Sequence, residues 1–398
     1  MNILTINCGS SSQGFKIYQI SESKPYEIIA SGKAKNVATK TQADAYIEWQ
    51  FQTENGKTVT TCSSHRIAAI KILELIHEKQ ISIDAIGHRF VHGGDDFQKT
   101  TQIDAQVMKT LSADFHFAPV HNPNSYSVIE VCQNLLPGIP QFAVFDTAFH
   151  TSMPDYAREY AIPVEIAHQF SFRKYGFHGL SYQYVSAKTA ELLNSSVDEL
   201  KLILCHLGTG GSSVVAVNRG KVLDTSMGYT PLPGLVMSTR CGDIDAEIVL
   251  QLIRQGYNAD EVSDILNKKS GLIGLSGFSS NLEEIIKESE NGNTACQLAY
   301  EVYTHRLKSY LGAYTWLLNG ADAIVFTDDV GVTSWKLREK VCSDIDNLGI
   351  LVSVEANKHA GKNLPALISL PSSKTQLWVI PTDEELVIMQ EVFAFMQA

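Results

Sequence analysis

Two short stretches of this 398-residue chain combine glycine with serine and threonine in a way that suits anion binding. Leu4 to Tyr18 reads LTINCGSSSQGFKIY and Leu202 to Val217 reads LILCHLGTGGSSVVAV, so an apolar run, a small-residue loop and a second apolar run occur twice. A turn of small residues lets backbone N–H groups come close to an anion, with Gly208 and Gly210 leaving the second loop open. Ser10, Ser12, Thr209, Ser212 and Ser213 add hydroxyl donors. Each stretch alone is equally a hairpin whose turn needs small residues. Their repetition favours a pair of phosphate loops.

Cations are scarce at the glycine-rich turns, and two arginines stand out: Arg89 in GHRFVHGG and Arg240 in MSTRCGDID. A guanidinium is a permanently charged planar fork matched to carboxylate or phosphate. The alternative is an ordinary ion pair, and Asp243 and Asp245 stand near Arg240 to supply one. His178 in RKYGFHGLSY is a candidate donor to a transferring phosphoryl group. His121 in FAPVHNP and His206 in CHLGTGG share the ambiguity of any loop histidine. Asp146, after the apolar run QFAVF, is placed to orient or deprotonate a nucleophile, or to cap a helix. The chain contains no G-x-x-x-x-G-K-[ST] loop, no protein-kinase motif set and no G-x-S-x-G elbow.

The elements that must carry these residues follow from periodicity. Beyond the first hairpin, Ile28 to Val37, Tyr46 to Phe51, Ile83 to Val91 and Gln141 onward read as strands, and Arg66 to Lys79 as a helix. In the second half a hairpin spans 202–223, helices lie near 245–256 and 293–318, and Ala323 to Thr327 and Leu377 to Pro381 are strands. Glu384 to Met396 is a last helix. This pattern predicts an α/β protein of two related domains, residues 1–150 with 384–398 and residues 151–383. A hydrophobic share of 44% and the length suit two cores. A net charge of -11 argues against nucleic acid or an anionic membrane as partner. No apolar run has the roughly 20 residues of a membrane span. The 7 cysteines are scattered without a C-x-x-C pair, as expected of free thiols in the cytoplasm.

Taken together, INCGSSS, GHRFVHGG, HNP, FDTAFHTSMP, YGFHGLSY, HLGTGGSS, DTSMGYTPLPGLVMSTRCGDID, NKKSGL and PTDEELVI resemble the acetate kinase family over nearly the whole chain. The resemblance implies two ribonuclease H-like domains of the acetate and sugar kinase, Hsc70 and actin superfamily, a homodimer, and an active site in the interdomain cleft. It implies phosphoryl transfer between acetyl phosphate or acetate and a carrier, with catalytic Arg89, Asp146, His178 and Arg240. Transfer of this kind needs positioning and charge neutralisation more than covalent help. A Mg²⁺ or Mn²⁺ site maps to Asn7 and Glu384, with Glu385 as a neighbour. The pocket for the acid's methyl group maps to Val91, Val120, Phe177 and Pro231, with Arg89 on the carboxylate. All four pocket residues are apolar, so propionate is expected to be tolerated. Ser10, Ser12, His206, Gly208, Thr209, Gly210 and Gly331 map to the phosphate or nucleotide side.

The departures from the family gather on that donor side. Gly14 stands where ATP-dependent members have lysine, Thr209 where HLGNGGS has asparagine, and Asn281 with Glu283 where D-x-R contacts nucleotide. In FTDDVGVTSW, Asp328 and Asp329 replace two glycines of FTGGIGEN, filling space and opposing phosphate with negative charge. These changes resemble the pyrophosphate-linked branch of the family, so pyrophosphate and phosphate are expected ahead of ATP and ADP. An ordinary ATP-dependent acetate or propionate kinase is the alternative. A sugar or glycerol kinase fits poorly with the apolar pocket, and a non-catalytic actin-like phosphate- or nucleotide-binding module leaves the Arg89, Asp146, His178 and Arg240 set unexplained.

Overall fold

The opening apolar run forms a buried strand, β1 (Asn2–Cys8), which continues through β2 (Ser12–Ser21), β3 (Lys24–Lys35), β4 (Tyr46–Phe51) and β5 (Glu54–Val59) as an antiparallel meander. Three more strands, β6 (Ala85–Phe90), β7 (Thr101–Gln102) and β8 (Gln141–Phe145), complete a sheet of order β5-β4-β3-β2-β1-β6-β8-β7. The second sheet contains β9 (Lys201–Leu207), β10 (Ser212–Asn218), β11 (Lys221–Thr225), β12 (Ala323–Thr327), β13 (Ala366–Leu367) and β14 (Gln376–Val379), in order β11-β10-β9-β12-β14-β13. This computed structural model describes residues 1–9, 11–21, 24–38, 45–60, 62–119 and 121–398. It divides into two compact units, Met1–Phe149 with Asp383–Ala398, and His150–Thr382.

The two units share one topology. In the first, β3-β2-β1 run antiparallel and β1, β6 and β8 run parallel; in the second, β11-β10-β9 and then β9, β12 and β14 repeat the arrangement. Parallel strands need helices on both faces, which is why β8, β9 and β12 are apolar almost throughout.

In the first unit, helices His65–Glu78 and Asn122–Leu135 bury Ala68, Ile72, Val128 and Cys132 against Leu4, Ile6 and Ile86. The opposite face, reached from the next residue of β6, receives the C-terminal helix Glu384–Gln397. Gly87 permits that approach, because a Cβ there would lie 2.4 Å from Ile388 Cγ2. In the second unit the long helix Thr294–Leu317 packs Ala299, Leu307 and Tyr314 on Ile203, Cys205 and Leu207. Alternation along β9 therefore turns Leu204 and His206 to the other side, where helix Gly179–Leu192 lies. Among the described residues no helix is long and apolar enough to cross a membrane.

Candidate active site

Each sheet gathers its polar residues at the carboxyl ends of its parallel strands, where open α/β sheets bind ligands. In the first unit these ends are Asn7 of β1, Arg89 of β6 and Asp146 directly after β8. Arg89 Nη2 donates to Asp146 Oδ2 at 2.6 Å, and its Nε lies 3.1 and 3.2 Å from the two carboxylate oxygens. Its Nη1 donates to Asn7 Oδ1 at 3.1 Å and stands 3.5 Å from Glu384 Oε2. Burial opposes the charge on Arg89, but Asp146, Glu384 and Glu385 more than reverse this and hold it above the usual arginine range.

The start of the C-terminal helix supplies the rest of the cluster. Asp383 caps it by accepting from Leu386 N at 3.1 Å, and Glu384 and Glu385 occupy the first turn, where the helix dipole favours anions. Asn7 Nδ2 donates to Glu384 Oε2 at 2.9 Å and Glu385 Oε1 at 3.2 Å. Lys16 Nζ pairs with Asp383 at 2.7 Å and Glu385 at 3.7 Å. Glu385 and Lys16 are thus as much part of the cluster as Glu384. Gly14 leaves room for this, since a Cβ there would lie 3.0 Å from Glu385 Oε1.

The first glycine loop is a tight turn in which Gly9 N donates to the Ser12 carbonyl at 2.8 Å. Buried His65 holds it by donating through Nε2 to the Gly9 carbonyl at 2.9 Å. Ser12 is half-buried, whereas Ser10 and Val120 lie outside the described residues. Val91 is buried just beyond β6, and His121 precedes the helix that starts at Asn122.

Near Val91, the glycine pair of FVHGGDDF packs on a buried acid. A Cβ at Gly94 would lie 2.8 Å from Asp114 Oδ2, and burial, with Asp96 nearby, pushes the Asp114 carboxyl up to about 6, His116 acting the other way. A carboxyl raised in the folded state holds a proton that the unfolded chain releases, so stability falls as pH rises through about 4 to 6. The cost is fully present at pH 7. Asp114→Asn is expected to be more stable than the parent at pH 7 by on the order of 1 kcal/mol, after allowance for solvent screening. The two should converge near pH 4 in paired urea melts; an equal gap at both pH values would refute the assignment.

In the second unit the centre is a pair of stacked imidazoles, His178 and His206, with ring centroids 4.0 Å apart. His178 precedes helix Gly179–Leu192 in the left-handed region, at φ 60°. Its approach is braced by buried His150, whose Nε2 donates to the Phe177 carbonyl at 2.9 Å. Gly176 lies flat on that ring: φ is 78° and a Cβ would fall 2.6 Å from His150 Cγ. Burial pushes His150 down to about 4, so it stays a neutral donor. Phe177 is buried beside it, and Pro231 is half-buried.

The second glycine loop is tied down by the two aspartates that follow β12. His206 Nε2 lies 3.1 Å from Asp328 Oδ2, and its Nδ1 is 2.9 Å from Ser181 Oγ. Thr209 donates to Asp329 through its backbone N–H at 2.8 Å and its hydroxyl at 2.5 Å. Gly208 lets Asp328 come close, because a Cβ there would sit 2.0 Å from Asp328 Oδ2 and move that carboxylate, while one at Gly210 would meet nothing within 4 Å. Gly331 is buried in helix Asp328–Thr333, and its carbonyl accepts from Arg338 Nη1 at 2.8 Å. Ser213 is not a phosphate donor: fully buried, it bonds His178 Nδ1 at 2.7 Å and the Tyr182 hydroxyl.

Arg240 differs from Arg89. Asp243 is engaged by Arg306 and Tyr310, and Asp245 caps helix Ala246–Arg254, so neither neighbour pairs with Arg240. Among the described residues Arg240 has no carboxylate partner; its Nη1 contacts the Pro231 carbonyl at 3.3 Å and Met237 Sδ at 3.8 Å. Burial lowers its pKa. A Cβ placed on Gly211 would lie 3.1 Å from Arg240 Nη1 and 3.6 Å from His178 Nε2, so both nitrogens border one small space. Beyond the loop is a cavity of about 210 Å³ lined by Thr209, Asn281, Glu283, Tyr303 and Asp329 among others. Asn281 also caps helix Leu282–Glu290.

The two units repeat one α/β topology, and the second places an arginine, a histidine and a glycine loop around one small space. Residues 2–390 match the model of the Acetokinase family. The acetate kinase of Dictyoglomus thermophilum is 42% identical over 400 residues, covering 98% of each chain. The crystal structure of acetate kinase from Entamoeba histolytica superposes with a TM-score of 0.88 at 40% identity and covers 100% of both chains. That of a propionate kinase from Francisella tularensis gives 0.88 at 37%, covering 98% of each. The chain belongs to the Acetokinase family.

Proposed function

We propose that this protein transfers a phosphoryl group between acetyl phosphate and a phosphoryl carrier, releasing or consuming acetate. The observation that carries this reading is Arg240, a largely buried guanidinium with no protein anion among the described residues, bordering the same space as His178 Nε2. Such a cation is built for an anion that arrives with the substrate. On this reading Arg240 and His178 neutralise the transferring phosphoryl, Arg89 holds the acid's carboxylate, and Asp146 orients Arg89. Val91 in the first unit, and Phe177 and Pro231 in the second, are each apolar, in keeping with an acid that carries a short alkyl group, and the match to a propionate kinase suits acetate and propionate alike.

The acidic end of the first unit fits a magnesium ion. Glu384 and Glu385 bring two hard carboxylates to within hydrogen-bond distance of one amide, and Mg²⁺ takes few protein oxygens and keeps several waters. Asn7 presents its N–H to the carboxylates and its oxygen to Arg89, so Glu384 and Glu385 would hold the ion and Asn7 would hold them. Bound there, magnesium would supply charge neutralisation for phosphoryl oxygens.

For the carrier we favour phosphate and pyrophosphate. Asp328 and Asp329 stand on His206 and Thr209, and the adjoining cavity, about 210 Å³ with Glu283 and Asp329 in its wall, is smaller than pockets for drug-sized ligands, which start at about 300 Å³. ADP and ATP are the second reading, favoured by the apolar wall that Leu272, Tyr303 and Val330 offer a base. The deciding experiment compares acetyl phosphate consumption with Mg²⁺ plus phosphate and with Mg²⁺ plus ADP. Phosphate-dependent pyrophosphate formation is expected. ATP formation without phosphate-dependent turnover would overturn the carrier assignment, and turnover with neither would overturn the function.

A homodimer and a cytoplasmic location complete the proposal. Helix Ala246–Arg254 buries none of its residues in its own unit and exposes Ile248, Leu250 and Ile253, an apolar surface suited to a second copy. Sedimentation of a monomer at micromolar concentration would remove the dimer.

A further inference from the structure

His178 ends a line of three hydrogen-bonding side chains that begins at Tyr182 and passes through Ser213. Tyr182, fully buried and one turn along helix Gly179–Leu192 from His178, places its hydroxyl against Ser213 Oγ. Burial raises the Tyr182 pKa, so the hydroxyl keeps its proton and can donate it to Ser213 Oγ. Ser213 is placed by sheet register, opposite His206 on β9, and is fully buried. If it accepts from Tyr182, its own proton is left to give to His178 Nδ1, 2.7 Å away.

We propose that the Tyr182–Ser213 hydroxyl pair fixes the neutral His178 ring in the tautomer that carries its proton on Nε2. Both hydroxyl residues are then positioning residues for His178. Nε2 and Arg240 Nη1 lie 3.6 and 3.1 Å from the point a Gly211 Cβ would occupy, so in this tautomer both nitrogens bring an N–H to the border of one space. The opposite tautomer would present a lone pair to an incoming anion. In the serine-protease triad, loss of the correct tautomer lowers kcat by about 10⁴. Ser213 is solvent-inaccessible, so a smaller loss than removal of His178 itself is expected.

The inference rests on His178 acting at the phosphoryl group, and its test separates the two. Full-length protein labelled with ¹⁵N-histidine is examined by NMR at neutral pH, His178 being assigned by its disappearance in His178→Gln. The expected wild-type signature is a protonated Nε2 and an unprotonated Nδ1. Ser213→Ala and Tyr182→Phe should show mixed or reversed tautomers and lose about 10- to 100-fold in kcat, in the range for partners that orient a functional group. KM for acetyl phosphate should change less, and Ser213→Thr should restore the parent signature. Tyr182→Phe, which keeps the buried ring, carries the test if Ser213→Ala does not fold. A wild-type proton on Nδ1, or an unchanged signature in Tyr182→Phe, overturns the relay. Near-parent turnover of His178→Gln would overturn the catalytic reading of His178 alone.

Discussion

Arg240→Ala is expected to lower acetyl phosphate turnover by about 10³-fold or more, the scale on which a guanidinium stabilises charge in phosphoryl transfer. In most proteins, removing a mostly buried arginine also costs stability, because its counter-charge is left behind. Here the described structure holds no counter-charge, only a carbonyl and a thioether. Burial depresses the pKa of Arg240, so its charged form is a net cost to the folded state at every pH below that value. Arg240→Met, which fills similar space without charge, should therefore melt at or above the parent temperature while being inactive. Phosphate and acetyl phosphate should raise the melting temperature of the parent and lose that effect in the variant, since ligand stabilisation scales with differential binding. A hydroxamate assay and a thermal melt with and without phosphate read all three outcomes. Substantial activity in Arg240→Ala would remove this residue from the mechanism.

Much of this arrangement is legible in residue type and spacing. The doubled glycine loop, the apolar runs ending at Asn7, Arg89, Asp146 and His206, and the acids that open the last helix all sit where strand and helix periodicity places them. What periodicity does not reveal is the partner of each polar group. Arg89 and Arg240 look alike in sequence, yet one is gripped by a carboxylate and the other is not, because Asp243 is drawn away by Arg306 and Tyr310 from a helix more than 60 residues on. Ser213 belongs to a loop that reads as donors for phosphate. The pleat decides otherwise: Ser213 pairs with His206 across the sheet and turns inward to Tyr182 and His178.

Asp328 and Asp329 illustrate the same limit with a different consequence. As side chains replacing glycines they read only as bulk and negative charge. In the folded unit, Asp328 takes the His206 Nε2 and Asp329 takes two donors of Thr209, so they spend the loop's own hydrogen bonds. On the proposed reading a phosphate would have to displace or share those contacts, a requirement that local composition cannot express. Lys16 with Asp383 and Glu385 is likewise a meeting of distant segments, supplied when the C-terminal helix docks at Gly87.

Asp146→Ala is expected to have the largest combined effect in the first unit, lowering turnover by about 10²-fold, the scale on which misplacing a functional group costs rate. It should also destabilise the protein by about 3 kcal/mol, as breaking a buried ion pair does. The Asp146 side chain is 1% exposed and grips Arg89 from two sides of the fork. Without it, Arg89 keeps Asn7 at 3.1 Å and Glu384 at 3.5 Å. That remaining charge places the stability loss at the low end of the usual range, and draws Arg89 toward the acidic turn and out of its present orientation. Arg89→Ala with Asp146→Ala should accordingly cost less stability than the sum of the single changes, because the pair is then removed together, while activity stays lost. Urea unfolding of the four proteins gives the coupling, and the same hydroxamate assay gives the rates. Additive stabilities would mean that Arg89 and Asp146 act independently, and Asp146 would then be a site residue in its own right, not the group that orients Arg89.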